Sequence, residues 1–404
     1  MENQENLRNL TRQEKGQMIA EKFRIRRTDN GYEVPSQSNS GKYLVKIMYD
    51  NKECNCPDYE TRRCKCKHIF AVEYILKEEI DNEGNKTITQ TIKKTYGQNW
   101  KTYNISQQQE KEKLIELLAD ITSRIQQPAY TFGRPNSNLG DAIFSMVFKV
   151  YSTFSGRRFA TDMSWALEKG YIESKTPYNT MFDYFKKPEL TPILAQMVRL
   201  TSMPLRTIET KFNTDSTGFG TSNFQRWYSF KHGKEISSRR WVKCHFVNGA
   251  KSNIITSVKI TAENEADCPQ LAGMAKETAE SFNMEELSGD KAYLSRDNFE
   301  LIDGLGGTFY VPFKSNSKPS GNGMIWKQMY YYFMLKNEEY LKHYHLRSNA
   351  ETTVNMVKAK FGDSVRSKLW PSQVNEVLCK IICHNICCVI MEMNNLGIKA
   401  DFTN

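Results

Sequence analysis

Four polar side chains between residues 344 and 358 fall on one line if that stretch is a helix. At about 100° per residue, with Tyr344 at 0°, Arg347 lies at about 300°, Glu351 at about 340° and Lys358 at about 320°. The four positions share an arc of about 60° beside a row of apolar residues. Such a polar stripe along the edge of a buried face is typical of a functional site. The alternative is an exposed helix with an ordinary ion pair of Arg347 and Glu351 at i,i+4.

The spacing of these four residues resembles the Tyr-Arg-Glu-Lys signature of the insertion-sequence DDE transposases. In that family the glutamate, here Glu351, is the third acid of a two-metal site on a ribonuclease-H-like fold. The resemblance implies two upstream acids at strand ends, and it places them at Asp215 in NTDSTGFG and Asp290 in SGDKAYLS. It extends over about residues 205–392.

Three carboxylates with few soft ligands suit hard cations such as Mg²⁺ or Mn²⁺. Two such ions about 3.5–4 Å apart activate a nucleophilic oxygen and stabilise a leaving oxygen in phosphodiester chemistry. We therefore expect Asp215 to bridge two ions, with Asp290 and Glu351 completing one ion each. By resemblance, the site uses water to release a 3′-hydroxyl end, which then attacks target DNA. The resemblance assigns contacts with the phosphates of the DNA end to Tyr344, Arg347 and Lys358.

Two other functions share part of this pattern. A ribonuclease-H-like nuclease without strand transfer has the three acids, but the Tyr-Arg-Lys additions disfavour it. A transposase-derived, zinc-dependent DNA-binding protein without catalytic activity would keep the basic patches and would be expected to lose an acid. All three acids are present, at Asp215, Asp290 and Glu351.

Four cysteines crowd into thirteen residues, with the spacing of metal ligands. Cys54-x-Cys56-x9-Cys66-x-His68 resembles the SWIM-type zinc finger, including the preceding strand and the apolar helix that begins at the histidine. Four nitrogen and sulfur ligands leave no open position, so the expected Zn²⁺ is structural. Cys64 is the alternative ligand, and unpaired reduced thiols are the alternative to a metal site. The cysteines near residue 383 indicate apolar packing in a reducing compartment.

Composition bounds the class of protein. The chain has 404 residues and a formal net charge of +10, with a pI near 8.9. This length indicates two or three domains. The charge favours a polyanionic partner, either nucleic acid or an acidic membrane surface. The longest nearly apolar run, residues 381–391, is shorter than a membrane span, and the N-terminus has no apolar signal core. We therefore expect a cytoplasmic protein that, by resemblance, works at the nucleoid.

The sequence predicts a multidomain fold of α+β and α/β class. A zinc module of short strands and a helix, with its linker, covers residues 1–99, and residues 78–112 are the polar linker or exposed connection. A helical domain covers residues 100–203, a mixed-sheet catalytic domain residues 204–395, and a tail residues 396–404. The helical domain contains either a helix-turn-helix that reads DNA or a plain cap on the catalytic domain.

Basic and aromatic residues alternate between residues 219 and 261. Cations beside aromatic rings suit a DNA backbone and splayed bases, whereas a solvated β-meander is the alternative. The bases selected as DNA contacts are Arg239, Arg240 and Lys243. The expected partner is double-stranded DNA, both element ends and target, bound by a homodimer.

Overall fold

The computed structural model describes residues 11–36, 41–48, 51–80, 86–90, 99–129, 132, 137–221, 231–232, 241–320 and 323–402. The chain forms two compact units, Met1–Gln98 and Asn99–Asn404. The second unit contains both the predicted helical domain and the predicted catalytic domain. Buried side chains from both parts belong to one hydrophobic cluster. The predicted boundary at residue 203 therefore separates a helical part from a sheet part of the same compact unit.

The first unit is a small antiparallel sheet covered by helices. Its elements in chain order are α1 (Arg12–Lys22), β1 (Arg26–Thr28), β2 (Gly31–Pro35), β3 (Lys42–Met48), β4 (Asn51–Cys54), α2 (Pro57–Arg62), α3 (Lys67–Ile75), β5 (Leu76–Ile80) and β6 (Lys86–Gln90). Strands β1 to β4 form a meander in sequence order, and β5 pairs with β6 in a separate ribbon. The core is small and includes Ile19, Val34, Val45, Ile69 and Val72 around three cysteines. A unit with so little apolar surface needs another source of stability.

The predicted linker over residues 78–112 is wrong in its second half. Helix α4 (Trp100–Ser123) begins well inside it, although its first half has few large apolar residues. Polar contacts hold the first half of α4 to other helices of the second unit. The buried Glu110 carboxylate accepts a hydrogen bond of 2.9 Å from Tyr151, and Ser106 Oγ accepts one of 3.0 Å from Asn394. Hydrophobic periodicity cannot reveal these contacts.

The sequence predicts helices near residues 138–153, 157–169, 177–186 and 192–202, and four helices confirm this to within one residue at each end. They are α5 (Leu139–Ser152), α6 (Gly156–Glu168), α7 (Tyr178–Phe185) and α8 (Thr191–Ser202). Proline near the start of α8 fits the first turn of a helix, where no backbone donor is lost.

A five-stranded mixed sheet follows. Its strands are β7 (Lys211–Gly220), β8 (Trp241–Gly249), β9 (Ile255–Ala262), β10 (Glu286–Gly289) and β11 (Thr308–Tyr310), in the order β11-β10-β7-β8-β9. The first three are antiparallel neighbours, whereas β10 runs parallel to both β7 and β11. The intervening and following helices are α9 (Leu271–Ser281), α10 (Arg296–Gly304), α11 (Met324–Leu335), α12 (Asn337–Tyr344), α13 (Ser348–Phe361) and α14 (Trp370–Leu396). From residue 205 the sequence predicts the order three strands, helix, strand, helix, strand, helix; the structure has this order, with more than one helix after β11.

Helix α14 is the centre of the larger core. It packs against α4, α5 and α8 and reaches strands β8 and β9. Among the described residues, it is the helix that is long and apolar enough to cross a membrane, and 89% of its most apolar stretch is buried inside the protein. On this apolar helix the sequence favours a core role for His384 over metal binding. The structure agrees, because His384 is buried and its Nε2 lies 2.9 Å from the carbonyl oxygen of Asn253.

Candidate active site

Asp215 lies in the middle of β7, and the prediction that the strand ends there is wrong. β8 pairs with β7 along its length, with Asp215 opposite Phe246, so the strand continues to Gly220. The Asp215 side chain is 16% exposed. Its Oδ1 accepts a hydrogen bond of 2.8 Å from the N–H of Ser216.

Asp290 directly follows β10, as predicted. Because β10 is parallel to β7 and Gly289 lies opposite Thr214, Asp290 and Asp215 come from adjacent positions on neighbouring strands. Asp290 Oδ1 accepts a hydrogen bond of 2.7 Å from the N–H of Ala292. The hydrogen bond caps a short 3₁₀ turn and fixes the direction of the carboxylate.

The single helix predicted from Tyr344 to Lys358 is wrong. Helix α12 ends at Tyr344, a 3₁₀ turn spans His345–Arg347, and α13 then begins. A 3₁₀ turn has three residues per turn, so the predicted 60° arc does not hold across it. Ser288 Oγ donates a hydrogen bond of 3.2 Å to the carbonyl of His343 and so fixes the end of α12 to β10.

Arg347 nevertheless joins two of the predicted acids. Its Nη2 lies 3.0 Å from Asp215 Oδ2, and its Nη1 lies 2.8 Å from Glu351 Oε1. The Arg347 side chain is 22% exposed and that of Glu351 is 67% exposed. The guanidinium thus connects a largely buried acid to an exposed one. Its Nε is buried and has no hydrogen-bond partner among the described residues.

The charges of this group act on one another. Burial raises the pKa of Asp215, the Ser216 N–H and the Arg347 guanidinium oppose the shift, and the charges of Asp290 and Glu351 add to it. Burial by itself would lower the pKa of Arg347, but the nearby negative charges, led by Asp215, outweigh it and raise that pKa. The three acids and Arg347 therefore form one electrostatic unit.

The donor set suits a hard divalent cation, since carboxylate oxygens are the ligands that Mg²⁺ and Mn²⁺ prefer. Within the described residues, however, Asp215, Asp290 and Glu351 do not form a group whose ligand atoms all lie within 4.8 Å of one another. Arg347 supplies the positive charge between two of them. The residues fit divalent ions in kind, and an ion at Asp215 would compete with this guanidinium.

Tyr344 belongs to the acid group and Lys358 does not. Burial raises the pKa of the half-buried Tyr344 phenol, and the charges of Asp290 and Asp215 add to the shift. Lys358 Nζ instead lies 5.6 Å from the centre of the Phe219 ring, near the far end of β7. Burial lowers the pKa of Lys358.

The basic strand residues contribute less to the described site than predicted. Arg239 and Arg240 lie outside the described residues. The Lys243 ammonium is held by Asp267 at 3.0 Å and by the carbonyl of Glu265 at 2.9 Å. Its charge is therefore already paired within the protein.

Asp267 is a residue that sequence reasoning missed. The Ser216 hydroxyl donates a hydrogen bond to it, and His245 Nδ1 lies 3.0 Å from its Oδ1. His245 is fully buried, and its Nε2 lies 2.8 Å from Thr261 Oγ1. Because successive residues of a strand point to opposite faces, this group supports β7 from the face opposite Asp215. No spacing in the sequence indicates it.

The predicted zinc ligands converge in the first unit. Cys54, Cys56, Cys66 and His68 are buried, and their ligand atoms all lie within 4.8 Å of one another. His68 Nδ1 lies 3.9 Å from both Cys54 Sγ and Cys66 Sγ. Hydrogen bonds, chiefly from Cys54 and also from His68, lower the pKa of the Cys66 thiol.

The local structure explains this convergence. Cys54 ends β4, Cys56 and Cys66 precede the first turns of α2 and α3, and His68 lies in the first turn of α3. Cys64 is outside the group, since its Sγ accepts a hydrogen bond of 3.1 Å from Arg12. Three thiols and an imidazole at this separation fit a tetrahedral zinc ion.

Residues 209–386 match the family model of the transposase DDE domain. The match spans just under half of the chain and includes all three predicted acids, which supports a DDE transposase. No curated protein matches the chain. Among solved structures, the chain is similar to the piggyBac transposase in its cryo-EM synaptic complex with hairpin DNA, at 11% identity over 72% of this chain and 74% of that chain, with a TM-score of 0.35. A TM-score of this size establishes no common fold.

Proposed function

We propose that this protein is a metal-dependent DNA transposase that cleaves DNA and transfers a 3′-hydroxyl end to a target. The observation that carries the proposal is the meeting of Asp215, Asp290 and Glu351 around one cation at the sheet. These acids come from three distant segments, and nothing in the stability of the fold requires three carboxylates there. The match of residues 209–386 to the transposase DDE domain supports the same conclusion, and the catalytic part is then a ribonuclease-H-like domain.

Asp215, Asp290 and Glu351 would hold two Mg²⁺ or Mn²⁺ ions, which when bound activate the attacking oxygen and stabilise the leaving oxygen. The chain's own residues set the geometry. Strands β7 and β10 fix the first two carboxylates on a rigid sheet, and the exposed Glu351 completes the group from the first turn of α13.

Arg347 acts twice in this proposal. In the ion-free protein its guanidinium pairs with Asp215 and Glu351, which keeps the buried Asp215 charge paired. With divalent ions held by the carboxylates, Arg347 would no longer be needed to pair with Asp215 and Glu351. A planar guanidinium offers two parallel donors to a phosphate, so Arg347, beside Tyr344, would hold the DNA end in line with the acids.

The first unit would bind one structural Zn²⁺ through Cys54, Cys56, Cys66 and His68, as in SWIM-type fingers. Its small core makes metal binding a main source of its folding free energy. By resemblance, the active assembly is a homodimer on paired DNA ends.

A ribonuclease-H-like nuclease is the second candidate, because it would use the same three acids. The partly buried Tyr344 and Arg347 beside those acids favour strand transfer, since a transferred DNA end must stay bound between two reactions. A product assay separates the two functions: a nuclease releases cut DNA, whereas a transposase joins the cut end to a second duplex.

The test uses the DNA that flanks the gene, in which inverted repeats identify the element ends. Wild-type protein should nick an end-containing duplex with Mg²⁺ and join it to a target duplex. Glu351→Gln should lose both reactions while binding the duplex as tightly or more tightly, since a negative charge near DNA is removed. Glu338→Gln, an exposed position on α12, is the matched control. Nicking by Glu351→Gln at the wild-type rate would refute the proposed site.

A further inference from the structure

A cavity in the Asn99–Asn404 unit lies apart from the acids. It has a volume of about 360 Å³ and lies between the end of α5, the start of α6, the end of α7, the turn after α13 and the first half of α14. Its nearest part of α13 is Phe361, which lies ten residues beyond Glu351, or about 15 Å along the helix axis. The volume falls within the range of small-ligand sites, about 300–1,000 Å³.

The cavity contains a buried cation without a partner. Lys149 is 7% exposed. Among the described residues its ammonium makes no hydrogen bond and no ion pair, although it lines the cavity. Burial and the charge of Arg366 lower the pKa of Lys149 to about 8, while Glu376 opposes the shift. Lys149 therefore still carries its charge at neutral pH, and burying an unpaired charge is costly unless a ligand of opposite charge compensates.

Two further cations surround the same space. Lys380 is buried and donates hydrogen bonds of 2.8 Å to the carbonyls of Phe361, Gly362 and Ser364. Arg366 is exposed, and its one described side-chain hydrogen bond is a long one of 3.5 Å to the carbonyl of Phe154.

The carboxylate that lines this cavity already accepts hydrogen bonds from the backbone. Glu376 accepts hydrogen bonds of 2.9 and 3.1 Å from the N–H of Arg366 and one of 2.9 Å from the N–H of Ser367. These hydrogen bonds hold it against the turn after α13. Three cations thus face one carboxylate, and the cavity carries an excess positive charge.

The N-terminus of α6 opens into this cavity. Ser155 precedes the helix without a side-chain capping hydrogen bond, so the first N–H groups of α6 have no side-chain acceptor. Such groups and the helix dipole favour an anion. Apolar rings complete the wall. The exposed Phe154 and Phe182 line it, and Gly156 has no side chain because a Cβ there would lie 2.7 Å from the Phe182 ring.

We propose that this cavity is a nucleotide-binding site in which Lys149, Arg366 and the start of α6 hold a phosphate group and the Phe154 and Phe182 rings contact the base. An anion near a helix N-terminus and two cations is the expected mode of phosphate recognition, and bases stack on aromatic rings without sequence preference. The nucleotide is either part of a DNA strand or free in solution, since the chemistry is the same.

The position in the fold favours a DNA strand, and this part of the proposal rests on the proposed function. Lys358 and Lys380 both lie near the Phe219 ring, with Nζ atoms 5.6 and 5.3 Å from its centre. A strand that leaves the acids and follows α13 passes Lys358 before it reaches the cavity. At about 3.4 Å per phosphate along a duplex axis, the 15 Å between Glu351 and Phe361 corresponds to about four nucleotides.

The binding test uses the full chain and three probes: inorganic phosphate, thymidine 5′-monophosphate and an end-containing duplex, each titrated by calorimetry. Lys149→Met should weaken binding of at least one probe about tenfold or more, because a charge-assisted contact is lost. Lys276→Met, an exposed lysine on α9, should change nothing. Since Lys149→Met removes an unpaired buried charge, its melting temperature should equal or exceed that of the wild type.

Phe182→Ala provides an independent readout. It should weaken the monophosphate or the duplex but leave inorganic phosphate unchanged, since phosphate has no ring to stack. An effect of Lys149→Met on the duplex alone identifies a DNA strand as the source, and an effect on the free monophosphate identifies a soluble nucleotide. If Lys149→Met binds all three probes as Lys276→Met does, the site is refuted.

These outcomes are separable from the proposed function. Asp215→Asn removes nicking without touching the cavity, so it should bind inorganic phosphate and thymidine 5′-monophosphate like the wild type and the duplex as tightly or more tightly. A protein that binds the monophosphate through Lys149 yet shows no metal-dependent nicking keeps the nucleotide site and loses the transposase function.

Discussion

Replacing Arg347 by glutamine tests whether its guanidinium competes with divalent ions. The variant removes the cation between Asp215 and Glu351 and leaves a residue that cannot be charged. In the ion-free protein the partly buried pair with Asp215, at 3.0 Å, should be worth about 1.5–3 kcal/mol as a charge-assisted hydrogen bond. The exposed pair with Glu351 should add only about 0.3–0.5 kcal/mol.

Together these losses destabilise the ion-free variant by about 2–3 kcal/mol. For the Asn99–Asn404 unit the melting temperature should fall by about 3–5 °C. Mn²⁺ binding should change in the opposite direction. Because an ion no longer has to displace Arg347 from Asp215, the same 2–3 kcal/mol should tighten Mn²⁺ binding by about 30-fold or more.

The assay is calorimetric titration of Mn²⁺ into protein freed of ions, beside thermal unfolding with and without Mn²⁺. Arg206→Gln, an exposed arginine, is the control and should behave like the wild type in both. If Arg347→Gln melts like the control and binds Mn²⁺ no more tightly, Arg347 does not compete with Mn²⁺ for Asp215. Arg347 would then affect neither the stability of the acid group nor its ion binding.

The pH dependence of the same variant has a definite sign. Burial raises the pKa of Asp215 above its ordinary value. A carboxyl group of this kind contributes stability at low pH that is lost as the pH rises through the raised pKa. Removing Arg347 raises this pKa further, so the stability gap between variant and wild type should be small near pH 4, where an ordinary aspartate titrates, and reach its full size near pH 7.

Three other results are expected. Lys358→Ala should weaken binding to an end duplex and lower the slope of log affinity against log salt by about one unit, whereas an unchanged slope would mean that Lys358 only packs on Phe219. Cys66→Ser should remove zinc from the purified protein and Cys64→Ser should keep it, measured by metal analysis; the reverse would exchange the two ligands. Burial favours the neutral imidazole of His384 and lowers its pKa to about 4. The folded protein therefore keeps its full stability above the ordinary pKa of histidine and loses stability as the pH falls toward 4. The loss is about 3 kcal/mol at about 1.4 kcal/mol per pKa unit, and His384→Gln should show a shallower acid unfolding curve.

Local patterns were sufficient where one segment determines its own structure. Helices α5 to α8 begin and end where the apolar spacing and the capping residues predict. The acids Asp290 and Glu351 lie on the predicted kinds of element because a strand followed by a turn, and a helix with one apolar face, are local features. The zinc ligands converge because the two short helices begin beside them.

Contacts between distant segments explain what the sequence does not show. The break at His345–Arg347 depends on a hydrogen bond between Ser288 and His343, which no periodicity encodes. Arg347 has two acids within reach, and only the tertiary fold shows that Asp215 is one of them. The cavity around Lys149 is formed by five segments between residues 149 and 380, each of which by itself reads as an ordinary helix or turn.

The two ends of α13 differ in how their charge is compensated, and this sets an order of binding. Near Glu351 two of the acids are already paired with Arg347, so divalent ions must compete with a cation of the protein. Near Phe361 the Lys149 charge has no described partner, so an entering phosphate displaces no protein group there.

DNA should therefore bind in the absence of divalent ions, with the basic cavity supplying affinity and the acids opposing it slightly. Adding Mg²⁺ neutralises the acids and releases Arg347, so affinity should rise and nicking should begin in the same concentration range. Titration of Mg²⁺ at constant ionic strength, with binding and nicking followed on one end duplex, measures both. Binding that requires Mg²⁺ outright would contradict this order, because the positive cavity would then be unable to hold DNA by itself.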